Sequence, residues 1–219
     1  MSSSANVPFQ KHEVEDYERR RYRGLDQRMV DAREQKIVRG LFDAAKRLNG
    51  VNAALVLDAP CGYGRFSGIV ENQGFSLVSS DLSFHMVNRA GMRDRSRPYS
   101  LGVVADLKRG LPFKPGVFRF VLSMRFFHHV HEESERAQIL GEFARVSARW
   151  VILSYYELNP FHLLQRKIRR GLKRSKTRIK MISGDRFRRE IEAAGFRIVK
   201  KTPLFRWLHA QRLILLERT

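Results

Sequence analysis

A chain of 219 residues, 43% of them hydrophobic, is long enough for one large core, and nothing in its composition divides it into two domains. The single cysteine, Cys61, excludes an internal disulfide and a multi-cysteine zinc site. No apolar run has the length of a bilayer span, and the opening Met-Ser-Ser-Ser-Ala-Asn lacks the basic-then-apolar pattern of a secretory signal, so a cytoplasmic location is expected.

Charge is the unusual feature: 42 Lys and Arg against 22 Asp and Glu leave +20, a surplus that favours polyanionic partners such as nucleic acid, anionic lipid or a phosphorylated glycolipid. The first fifty residues are nearly balanced, with eleven bases and eight acids, and they contain the aromatic-basic cluster Tyr17, Arg20, Arg21 and Tyr22. The periodicity then predicts a helix over Asp31 to Leu48, with Ile37, Leu41, Phe42, Ala45 and Leu48 on one side and Asn49-Gly50 as its stop. Val51 to Leu57 is short, apolar and β-compatible, as for a strand buried on both faces. It runs through Asp58-Ala59-Pro60-Cys61 into Gly62-Tyr63-Gly64, a turn that opens a helix over Phe66 to Asn72.

A second strand, Phe75 to Ser80, ends at Asp81 and is followed by a helix over Phe84 to Arg93. Leu101 to Ala105 reads as the third strand, ending at Asp106-Leu107, and Phe118 to Met124 as the fourth, after the Pro112 to Gly116 turn. Glu132 to Ala148 is a predicted helix with Ile139, Leu140, Phe143 and Val146 at helical spacing, and Trp150 to Tyr155 the fifth strand. Phe161 to Lys180 holds nine basic residues and no acid. After Pro160, its Phe161, Leu164, Ile168 and Leu172 form one stripe, and Arg166, Lys167, Arg169, Arg170, Lys173 and Arg174 cover the rest. The 160–182 stretch therefore reads as a basic amphipathic helix, either lying on an anionic membrane or phosphates or packing as a lid. A helix opened by Ser183 and Asp185 runs to Ala194 and is closed by Gly195; Phe196 to Lys201 and Arg212 to Glu217 are two further strands. Seven strands alternating with helices imply an α/β fold with a mainly parallel sheet and helices on both faces.

The chemistry concentrates at strand ends, where open α/β sheets bind ligands. Gly62 and Gly64 let the backbone approach a ligand, but the dinucleotide pattern G-x-G-x-x-G fails, because its third position is Ser67. Asp58, ahead of the glycines, would repel a pyrophosphate and attract a cation. S-adenosylmethionine (SAM) carries an ammonium and a sulfonium and no phosphate, and fits. Asp81 lies nineteen places after Gly62, near the spacing of a ribose-binding acid.

The run Leu57-Asp58-Ala59-Pro60-Cys61-Gly62-Tyr63-Gly64-Arg65 resembles motif I of the class I SAM-dependent methyltransferases, and later motifs follow in that family's order over about Val51 to Glu157. The resemblance implies a single domain over 1–219 with a Rossmann-like seven-stranded sheet whose last strand is antiparallel. It also implies an N-terminal segment, 11–50, folded over the SAM site. As implied cofactor residues it adds Pro60, Gly62, Gly64, Arg65 and Met124, with Asp81 and Leu82 at the ribose, Asp106 and Leu107 by the adenine, and Arg20 and Tyr22 near the SAM carboxylate.

The loop after the fourth strand, Met124-Arg125-Phe126-Phe127-His128-His129, lacks the Asn/Asp-Pro-Pro-aromatic motif of enzymes that methylate base amines, and resembles that of small-molecule methyltransferases, including quinone-pathway enzymes. Histidine titrates near neutrality, so His128 and His129 are candidates for removing a proton from an acceptor hydroxyl. Tyr155, Tyr156 and Glu157 are candidates for the acceptor pocket, and no metal is expected. The reading is O-methylation of a small or lipid-linked, anionic acceptor, with an anionic membrane surface as a candidate partner on the inner face. An RNA methyltransferase gripping phosphates and a non-catalytic SAM-binding module are the alternatives.

Overall fold

The computed structural model describes residues 10, 12–14, 16, 24–51, 53–93, 101–158, 181–206 and 209–219. The basic stretch at 160–180 and the candidates Arg20 and Tyr22 lie outside the described residues.

A long helix, α1 (Leu25–Asn49), precedes β1 (Leu55–Asp58), α2 (Ser67–Asn72), β2 (Ser76–Asp81), α3 (Phe84–Arg93), β3 (Leu101–Val104) and β4 (Phe118–Ser123). A 3₁₀ turn (Phe127–His129) leads to α4 (Glu133–Val146), β5 (Ser147–Tyr156), α5 (Gly184–Ala193), β6 (Phe196–Pro203) and β7 (Gln211–Arg218). One seven-stranded sheet runs β3-β2-β1-β4-β5-β7-β6. Strands β1 to β5 pair in parallel, and β7 is antiparallel to both its neighbours, β5 and β6. The expected architecture, with its antiparallel last strand, is the one observed.

Alternation along the strands divides the core between the two sheet faces. Val56, Phe120, Leu122, Trp150, Ile152, Leu213 and Leu215 pack with Val38, Leu41, Phe42 and Ala45 of α1 and with Ile69 and Val70 of α2. Leu57, Val121, Val151, Leu153, Ile214 and Leu216 face the other way, onto Ile139 and Phe143 of α4 and Phe187 and Ile191 of α5. On the second face the Arg136 guanidinium meets the Glu190 carboxylate through two bonds of 2.7 and 2.6 Å, both side chains nearly sealed at 2% and 5% exposure. The same guanidinium donates to the Val130 and His131 carbonyls, so this pair joins α4 to α5 and holds the loop after the 3₁₀ turn.

Three boundaries depart from expectation by three residues or more. Strand β1 begins at Leu55, four residues after Val51. Helix α1 starts at Leu25, six residues before Asp31, because the extended backbone of Gly24 marks its start; at the other end Leu48 is 57% exposed, not on the buried side. Strand β5 begins at Ser147, the residue directly after α4, so helix passes into strand without a linker. Among the described residues no helix is long and apolar enough to cross a membrane.

Candidate active site

Parallel pairing brings the carboxyl ends of β2, β1 and β4 to one edge of the sheet, where Asp81, Asp58 and Met124 follow in that order across neighbouring strands. The turn after β1 is built around two left-handed glycines, Gly62 (φ 52°) and Gly64 (φ 77°). A Cβ on Gly64 would stand 2.8 Å from the Cα of Ala90, so that glycine lets the turn press against α3. A Cβ on Gly62 would meet nothing within 4 Å, and the backbone there borders open space.

Asp81 secures this turn. One of its carboxylate oxygens accepts the Gly62 N–H at 3.0 Å and the other the Ser83 N–H at 3.0 Å. Burial raises its carboxyl above the ordinary aspartate range, and the bonds from Ser83, Gly62 and Leu82 offset part of the shift. Asp58 is different: it is 1% exposed, and neither carboxylate oxygen has a hydrogen-bond partner among the described residues. Burial, with the Asp81 charge in second place, pushes its carboxyl well above the usual range. A sealed, unbonded carboxylate is costly unless something completes it. Cys61, between them, is buried, and the same burial, added to by both acids, raises its thiol well above its ordinary value.

Pro60 and Leu82 are half-buried, Met124 and Leu107 buried. The Asp106 carboxylate accepts the Lys108 N–H at 3.0 Å just beyond β3. Val14, from the segment expected over the site, is buried against Tyr63 of the glycine turn and Met86 of α3. Arg65 turns toward α1, where its guanidinium pairs with Asp31 at 3.4 Å and with Glu34.

Just beyond β4, Arg125 has a left-handed backbone (φ 56°), rare for a residue with a side chain, and its N–H donates to Ser154 Oγ at 2.8 Å. The 3₁₀ turn that follows buries His128 and leaves His129 exposed, their rings 3.9 Å apart. The His128 ring lies 4.9 Å from that of Tyr156, which lies 5.8 Å from that of His209. His209 was not singled out in the sequence, and the Gln211 N–H donates to its Nδ1, so the neutral ring carries its proton on Nε2. Tyr155 points to the opposite face, packs on Phe187 and donates to Glu157 at 3.0 Å; it is core. Glu157 is held by Arg212 at 2.7 Å and by Lys201.

Glu34 was missed as well. It is fully buried on α1 and receives Arg125, Arg65 and Gln211. An acid on the apolar stripe of Ile37, Leu41 and Ala45 was the signal that could have found it.

Residues 57–150 match the family model described as "Methyltransferase domain". A search of curated proteins gives no match. Among solved structures, magnesium protoporphyrin IX methyltransferase from Synechocystis PCC 6803, with bound SAH, aligns over 95% of this chain and 96% of its own at 20% identity, with a TM-score of 0.75. A SAM-dependent methyltransferase from Methanosarcina mazei aligns over 77% of this chain and 93% of its own at 18% identity, TM-score 0.63. A TehB-like SAM-dependent methyltransferase from Corynebacterium glutamicum aligns over 96% and 100% at 16% identity, TM-score 0.63. At these identities the likeness is one of fold. Residues 57–150 thus match a methyltransferase domain, and the chain has the fold of the class I SAM-dependent methyltransferases.

Proposed function

We propose that the protein binds SAM at the glycine turn and transfers its methyl group to an oxygen of a small or lipid-linked, anionic acceptor. The observation that carries this reading is Asp58, a sealed carboxylate with no hydrogen-bond partner among the described residues, set behind a glycine turn open at Gly62. An ammonium completes such a carboxylate, whereas a pyrophosphate would be repelled by it. Asp81, anchored through Gly62 and Ser83, is the acid for the ribose hydroxyls, and Asp106 with Leu107 borders the adenine. Arg20 and Tyr22 are the proposed carboxylate contacts.

Bound SAM supplies a sulfonium-activated methyl group. The chain then has to align an acceptor and take its proton. His128 is the proposed base, acting at Nε2 because its Nδ1 is buried; His129 is the second candidate. Tyr156 and the Nε2–H of His209 form the adjoining wall and orient the acceptor. The net charge of +20 supports an anionic acceptor or an anionic lipid surface near it.

The test begins with calorimetric binding of S-adenosylhomocysteine (SAH). The protein is then incubated with methyl-labelled SAM and a lysate separated into lipid, RNA, protein and small-molecule fractions. Label in the lipid or small-molecule fraction, released by mild base as from a methyl ester or retained as an ether, is the expected result. Label in RNA overturns the acceptor assignment in favour of a phosphate-gripping enzyme. SAH binding with no label in any fraction favours a non-catalytic module, and absence of SAH binding overturns the reading altogether.

A further inference from the structure

The Glu34 carboxylate sits where three separate segments converge. Arg65 immediately follows Gly64 of the glycine turn, Arg125 stands two residues before the turn that carries His128, and Gln211 opens β7 two residues after His209. Arg125 Nε donates to Glu34 Oε1 at 2.9 Å and its second nitrogen meets Oε2 at 2.7 Å. Gln211 Nε2 adds a bond to Oε1, and Arg65 one to Oε2. A carboxylate offers about four lone-pair sites. Here each oxygen receives two donors, so the acceptor capacity of Glu34 is used in full, and all four donors come from residues flanking the site.

We infer that Glu34 is a positioning residue: one sealed carboxylate on α1 locks the glycine turn, the turn after β4 and the start of β7 in mutual register, so that the cofactor side and the acceptor side of the site form together. It touches neither cofactor nor acceptor. The left-handed backbone at Arg125 is the clearest sign of the constraint, since such a conformation persists in a non-glycine residue only where surrounding contacts fix it. Two of those contacts are the guanidinium on Glu34 and the N–H on Ser154. The inference rests on the reading of the glycine turn as a SAM site.

Glu34→Gln tests it. The glutamine keeps the shape but replaces one acceptor oxygen with an NH₂ donor, so a donor faces donors. SAH affinity is expected to fall at least tenfold, by calorimetry, in a variant whose circular dichroism remains that of the folded protein. The control is Phe42→Leu, a substitution in the fully buried core side of the same helix. It is expected to lower Tm while leaving the SAH Kd within twofold.

Where Glu34→Gln does not fold, Arg65→Lys replaces it, keeping the charge but losing the planar fork; at least threefold weaker SAH binding is expected. The clamp is overturned if the folded Glu34→Gln or Arg65→Lys protein binds SAH like the unaltered chain. It is also overturned if Phe42→Leu weakens SAH binding as much as Glu34→Gln. Failure of the unaltered protein to bind SAH removes the cofactor reading, and this inference with it, before any variant is compared.

Discussion

Replacing Asp58 with asparagine separates what this residue does for the fold from what it does for the ligand. In the free protein the carboxylate is enclosed without a hydrogen-bond partner among the described residues, and burial holds its pKa well above the ordinary aspartate value of about 3.9. Between those two values the folded chain holds a proton that the unfolded chain has released. Stability therefore falls as pH rises through that window and stays reduced above it. Asparagine has no such titration. Asp58→Asn should accordingly be more heat-stable than the unaltered protein at pH 8, by about 2–4 °C for each kcal/mol relieved in a domain of this size. The advantage should disappear in acid, below the unfolded value.

Binding should move the opposite way. A hydrogen bond to a charged group contributes about 1.5–3 kcal/mol, so its loss should weaken SAH by about 10- to 150-fold. The assay pairs SAH calorimetry with thermal melts from acid to pH 8. In the unaltered protein the SAH-induced gain in Tm should grow as pH rises through the window, and in Asp58→Asn that growth should shrink. Asp81 is also raised and its charge acts on Asp58, so the difference between the two proteins reports the coupled pair with the Asp58 charge removed. An SAH Kd within threefold of the original, with no gain in Tm at pH 8, would refute the assignment of this carboxylate to an ammonium.

Asp81→Ala removes the acceptor of the Gly62 and Ser83 N–H groups as well as the proposed ribose acid, and calorimetry should show SAH binding at least tenfold weaker. His128→Ala should lower turnover at least a hundredfold, within the usual range for a proton-transfer group, with SAH affinity changed less than threefold; if His129→Ala alone abolishes turnover, the base is the neighbouring imidazole. Arg136→Met leaves the Glu190 carboxylate buried without its ion partner, and urea denaturation should record a loss of about 3–5 kcal/mol. A loss under 1 kcal/mol would mean that the α4–α5 pair is dispensable.

The elements were legible in the sequence wherever a local pattern sufficed. The apolar run into Asp58, the glycine pair and the acid ending β2 are each written in consecutive residues, and the structure gathers them at one sheet edge. Partners distant in sequence were not legible. Glu34 lies 31 residues from Arg65, 91 from Arg125 and 177 from Gln211, and no window of the sequence contains all four. Arg65 was read from its place in motif I, and the structure adds partners that no local pattern announces, the half-buried Asp31 and the fully buried Glu34 of α1. Likewise the antiparallel direction of β7 came with the family resemblance, and its place between β5 and β6 only with the structure, since an apolar strand carries no mark of which neighbours it will take.

That placement has a consequence for the order in which the molecule can be made. Strand β6 leaves the ribosome before β7, yet its described ladder partner is β7 alone, and β5 likewise lacks its second neighbour until β7 arrives. During synthesis, two flanking strands therefore wait with unpaired backbone edges, the state in which a growing chain is most open to aggregation or to a chaperone. Because Gln211 at the head of β7 also bonds to Glu34, near the start of the described domain, the closing of the sheet and the completion of the site become one late event. A nascent chain arrested before β7 should accordingly be unable to retain the cofactor, however long its glycine turn has been outside the tunnel.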